Sequence, residues 1–186
     1  MFIVRVLRRA LDALYLLSGI LAALALISIV TLQITLSAGR MLGFSVRGGT
    51  DYAGYAMAAA TFLGLAYAFQ HGAHIRVSLL LTALGKRRFW GEVWCYGFAC
   101  VLTVYFAWQA VEFTHQTWRF HDVSPGLDAT PLWIPQVAMA FGTVVFAICM
   151  IDNFVTLLAT GRSHLSDEDA EIAAAAEAAA AAGVEK

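Results

Sequence analysis

The sequence predicts an all-α integral membrane protein with four transmembrane helices and an interfacial amphipathic helix between the second and third. Three observations predict it. The 186 residues are 60% hydrophobic and 13% charged, whereas an average soluble domain has about 25% charged and 45–50% apolar residues. Mean hydropathy is +0.71. Four apolar stretches are each long enough for a hydrocarbon core of about 30 Å, which takes roughly 20 helical residues. The basic residues also collect at alternate ends of those stretches.

The first span is expected over residues 11–37, behind a start that carries Arg5, Arg8 and Arg9. A cleaved signal peptide has a similar charged start, but its apolar core runs only about 7–15 residues. This run is far longer, so it reads as a retained span. Asp12 follows Arg8 by four residues, on the same helix face, where a local ion pair explains it. The stretch from Ala38 to Thr50 reads as a loop by its glycines and charges.

Thr50 or Asp51 is the expected N-cap of the second span, residues 51–70. That span is rich in small residues: Gly54 and Ala58 are four apart, as are Gly64 and Ala68. In lipid, small residues at this spacing let helix backbones approach closely, so these four are candidate interface residues, within the chain or with a partner. After Gln70 the apolar helix is expected to stop. His74, Arg76, Lys86, Arg87 and Arg88 then flank an apolar segment too short to cross a bilayer. Residues 74–85 are therefore expected to lie in the interface, leucines down and basic side chains among the headgroups.

The third span, residues 89–118, has no breaker and exceeds the hydrocarbon thickness, so it must tilt or protrude. Tyr105, Gln109, Glu112 and Gln116 fall at i, i+4, i+7 and i+11, one polar stripe on one face. Trp90, Trp94, Trp108 and Trp118 mark headgroup belts. A carboxylate at membrane depth defaults to a functional hypothesis. For Glu112 the readings are partner contact, ion or substrate handling, or a solvated interfacial carboxylate. Thr130-Pro131 reads as a cap followed by a first-position proline, opening the fourth span, residues 132–160. Residues 1–162 thus form the membrane domain, and 163–186 an alanine-rich cytoplasmic tail with no expected site.

Four spans put both termini on one side. That side carries Arg5, Arg8, Arg9, Arg76, Lys86, Arg87, Arg88 and Arg162, against Arg40, Arg47 and Arg119 on the other. The positive-inside rule then places both termini in the cytoplasm. The formal net charge of −1 argues against nucleic acid. The three cysteines, Cys95, Cys100 and Cys149, form no CxxC and read as small hydrophobes. No Ser/His/Asp grouping, phosphate loop or metal-ligand spacing occurs, so no catalytic residue, metal or cofactor is expected. Haem is disfavoured because His71 and His74 lie about a membrane thickness from His115 and His121.

Residues Gly64 to Leu81, above all His74-Ile75-Arg76-Val77, resemble the signature of the small membrane subunit of tripartite ATP-independent periplasmic (TRAP) transporters, the DctQ-like family. Glu112 and Pro131-Leu132-Trp133-Ile134-Pro135 extend the resemblance, which covers about residues 10–160. Ser78 and Gln70 depart from it, standing where the family often carries charges. The resemblance implies a scaffold-type subunit in the inner membrane. Its partners would be a large multi-span subunit, carrying the substrate and sodium sites, and a periplasmic protein that delivers organic acids. Within that reading, Gly54, Ala58, Gly64, Ala68, Gln109, Glu112 and Gln116 are the expected subunit contacts. The competing reading is a haem-bearing or structural membrane anchor of a respiratory enzyme.

Overall fold

The computed structural model describes residues 2–43, 48–70, 88–126 and 129–160. Among them, four helices are long and apolar enough to cross a membrane. They are α1 (Phe2–Leu42), α2 (Gly49–Gln70), α3 (Arg88–Phe120) and α4 (Trp133–Thr160). The expected interfacial helix at 74–85 and the tail at 163–186 lie outside the described residues.

The helices begin and end where backbone geometry, not composition, dictates. At 41 residues, α1 is about 62 Å long at 1.5 Å per residue. It continues through Gly39 and Arg40, where a loop is expected, and stops at Gly43, whose φ is +80°. An isolated helical glycine costs only about 1 kcal/mol. It ends a helix when it takes the left-handed conformation, as Gly43 does here. On the far side of the connection, Gly48 has φ +70° and accepts the first helical bond of α2, from the Tyr52 amide at 3.1 Å. The cap is therefore Gly48. Thr50 and Asp51 instead sit in the first turn, where the Asp51 carboxylate favours the helix dipole.

The expected cap of α4 is also displaced. Pro131 pairs with Val123 in an antiparallel bridge. The Ser124 amide donates to Thr130 O at 2.8 Å and the Leu132 amide to Asp122 O at 3.0 Å. Thr130 and Pro131 thus close a small hairpin, and α4 starts two residues later at Trp133. The hairpin opens on a Schellman turn: His121 takes φ +55°, and the amides of His121 and Asp122 bond back to Trp118 O and Thr117 O.

In the bundle, α2 and α4 run parallel in the middle, with α1 packed antiparallel on α2 and α3 antiparallel on α4. Close approach is purchased by glycine at three points. A Cβ on Gly142 would lie 2.5 Å from the carbonyl carbon and oxygen of Phe62, so α2 and α4 touch backbone to backbone. One on Gly19 would lie 2.7 Å from the Tyr67 ring, and one on Gly49 2.6 Å from Leu36. Between the helices lies a core of Tyr15, Phe69, Tyr96, Val145, Met150 and Leu157 around a fully buried Cys149. Phe69 meets Tyr96 and Phe146 edge to face, with centroids 6.4 and 6.0 Å apart, a favoured arrangement of ring quadrupoles.

Polar groups inside this bundle are used as interhelical links. Ser18, fully buried on α1, donates to the Leu63 carbonyl of α2. Gln70 on α2 donates to Cys149 Sγ on α4 at 3.6 Å, while Asn153 turns back within α4 to Cys149 O at 2.8 Å. Hydrocarbon offers no hydrogen-bonding groups, so polar side chains within a span find their partners in the protein. Cys95 is exposed and Cys100 partly so; all three cysteines are free thiols.

Candidate functional site

The candidate residues fall on two outward faces, one on α2 and one on α3. On α2, Gly54 and Ala68 are exposed and Ala58 is half-buried. Nothing lies within 4 Å of where a Gly54 Cβ would be. Exposed Thr50, Met57 and Thr61 continue this open strip. Gly64 is different. It faces α1, where its Cβ would meet Ala22 Cβ at 3.6 Å, an ordinary van der Waals contact. The spacing that marks these residues as small cannot say which way each faces, because four-residue steps drift around the helix by about 40° each.

On α3, Tyr105, Gln109, Glu112 and Gln116 are all exposed and bonded along the stripe. Gln109 donates to Tyr105 Oη at 3.4 Å and Gln116 to Glu112 Oε1 at 3.1 Å. The buried positions of the same helix are Glu92, Tyr96, Ala107, Ala110 and Thr117. At 3.6 residues per turn they lie on the opposite side, against α4. The polar stripe therefore points away from the bundle. The Thr114 hydroxyl, on the packed side, donates to Ala110 O at 2.8 Å and also reaches Gln136 O of α4 at 3.4 Å.

Of the elbow residues, His74, Arg76, Lys86 and Arg87 lie outside the described residues, and Arg88 forms the first residue of α3. His115 is exposed on α3, its ring 6.1 Å from Trp118. Both border an open apolar groove of about 410 Å³ between α3 and α4, walled on the other side by Trp133, Val137 and Phe141. Among the described residues, no three His, Cys, Asp or Glu side chains gather as a metal site.

One feature escapes sequence reasoning. The hairpin after α3 is tied to the start of α2 by two phenols: Tyr55 donates to Ser124 Oγ at 2.7 Å, and Tyr52 Oη lies 3.1 Å from Thr130 Oγ1. Ser124 is buried and also accepts from the Gly126 amide at 3.2 Å. The only sequence signal is the pair of tyrosines one turn apart at a helix start, and nothing local says what they reach.

Comparison with protein families finds one model that matches residues 26–160: the DctQ component of the tripartite ATP-independent periplasmic transporters. Neither the curated proteins nor the solved structures contain a match.

Proposed function

The chain belongs to the DctQ-component family of the tripartite ATP-independent periplasmic transporters, and from that premise we propose that it is the scaffold of a sodium-coupled importer of organic acids. It is a small membrane subunit of such a transporter, multi-pass by its four apolar helices. In the proposed assembly it holds a large multi-span subunit, which carries the substrate and sodium sites, and helps receive a periplasmic binding protein. Both termini face the cytoplasm, in keeping with the excess of Arg and Lys at that end. His74, Arg76, Lys86, Arg87 and Arg88 anchor the connection between α2 and α3 among the lipid headgroups.

The observation that carries this reading is the outward polar face of α3. Glu112 and Gln116 are exposed on the side turned away from α4, on a helix whose composition otherwise suits lipid. Carboxylates and carboxamides in a span find their use against other protein. The open strip of α2, with Gly54, Ala58 and Ala68, offers a second surface for close helix approach. Gly64 contributes through its seat on α1.

The test is to purify the tagged chain gently from native membranes and identify what accompanies it. A many-span partner near one to one is expected. A lone chain, or one bringing a soluble redox enzyme and a coloured cofactor, overturns the proposal. With the partner in hand, Gly54→Leu combined with Ala68→Leu is expected to lower its yield about tenfold, the equivalent of about 1.4 kcal/mol. Both positions are exposed, so the subunit itself should still fold.

A further inference from the structure

The groove between α3 and α4 has the length of one leaflet. It begins at Trp118 and Trp133, where the hairpin joins the two helices, and runs inward to Val111 on α3 and Val144 on α4. From Trp133 to Val144 the distance is about 16 Å at 1.5 Å per residue. Half of a hydrocarbon core of about 30 Å is about 15 Å. Spread over that length, the volume of about 410 Å³ makes a channel roughly 6 Å wide, against about 10–12 Å for a helix with its side chains. A helix lying across the groove would leave it empty and forfeit the contacts of its walls. A polymethylene chain fills it.

The chemistry of the walls changes along the same line. The inner part is Val111, Ala140, Phe141 and Val144. The Thr114 hydroxyl is already bonded, to Ala110 O and Gln136 O. Polar groups enter at the mouth. Trp118 and Trp133 are there, rings that favour headgroup level, and so is the exposed His115. Arg119, also exposed, follows His115 by four residues and is its neighbour on the helix surface. A guanidinium beside an imidazole matches a phosphate.

We propose that this groove is a phospholipid site, holding one acyl chain between α3 and α4 with the lipid's phosphate on His115 and Arg119. The site needs the membrane spans and does not depend on the transporter reading.

The probe is a phosphatidylcholine with a diazirine in one acyl chain, mixed into phosphatidylcholine vesicles that hold the tagged full chain with the partners it brings. After illumination, labelled positions are identified by peptide mass. Labelling at Val111 and Val144 is expected to exceed that at Val155 about tenfold. Val155 is exposed on α4 outside the groove. Val137→Trp, a large ring set into the groove from an exposed position, is expected to lower groove labelling about tenfold and leave Val155 unchanged. His115→Ala with Arg119→Ala is expected to lower it about tenfold as well, the size of a lost charge-assisted hydrogen bond. That loss should be absent with the matching diacylglycerol probe, which has no phosphate. Equal labelling of the groove and Val155 in the wild-type chain means bulk lipid alone and overturns the site. Exclusion of label from the groove, by another subunit or a second copy, also overturns it. Equal loss with both probes overturns the phosphate contact. None of these results touches the transporter reading, whose test is the partner that co-purifies.

Discussion

The crossing of α2 with α4 and the outward face of α3 are built from opposite materials. At the crossing, Gly142 brings backbone against backbone at Phe62, and Thr143 turns its hydroxyl back on its own helix, to Ala140 O at 2.9 Å. On α3, long polar side chains stand exposed and bond only along their own helix. Both regions are membrane-spanning helix, yet one spends its residues on contact already made and the other keeps hydrogen-bonding capacity in reserve. On the proposed function, the difference separates the part of the molecule that makes the subunit from the part it offers to an assembly.

Three variants break or sharpen that contrast. Gly142→Leu should have the largest effect, because the new side chain meets backbone atoms that cannot rotate away. A loss of about 3 kcal/mol is expected, at the upper end of overpacking costs, read as loss of the folded subunit in denaturant titration in detergent. Wild-type stability for this variant would mean that the crossing is looser than the close approach implies. Ser18→Ala should cost about 1 kcal/mol, within the range for interhelical bonds in membranes, in the same titration. No change there would remove Ser18 from the links that hold α1 to α2. The smallest effect is expected for Glu112→Leu with Gln116→Leu in the isolated subunit, within about 0.5 kcal/mol, as for ordinary surface substitutions. A substantial destabilisation would show that the stripe supports the subunit itself, and the contrast would fail.

Much of this was legible in the sequence for a simple reason. Hydropathy and length are local quantities, and a bilayer converts them directly into spans, so the four helices follow from composition along the chain. The 3.6-residue period likewise puts Gln109, Glu112 and Gln116 on one face without reference to anything else. Helix ends were less legible. Ala38 to Leu42 looks like loop by its residue types but continues as helix, and Thr130-Pro131 looks like a cap but closes a hairpin. In both places the outcome depends on which conformation a glycine or a carbonyl adopts, and several conformations suit the same residues. The α2 face was legible only as a set of small residues. Gly64 turns to Ala22 while Gly54 meets nothing, and the four-residue spacing is blind to that.

By itself, the sequence determined the membrane class, the number of spans and the existence of a polar face on α3, since each depends on residues within a few turns of one another. Only the tertiary structure decided which faces were already occupied. Gly142 against Phe62, Tyr55 on Ser124 and Ser18 on Leu63 join residues 45 or more positions apart. Each pairing depends on helix order and rotation in the bundle, which arise from packing all four helices at once and are not encoded at either partner alone.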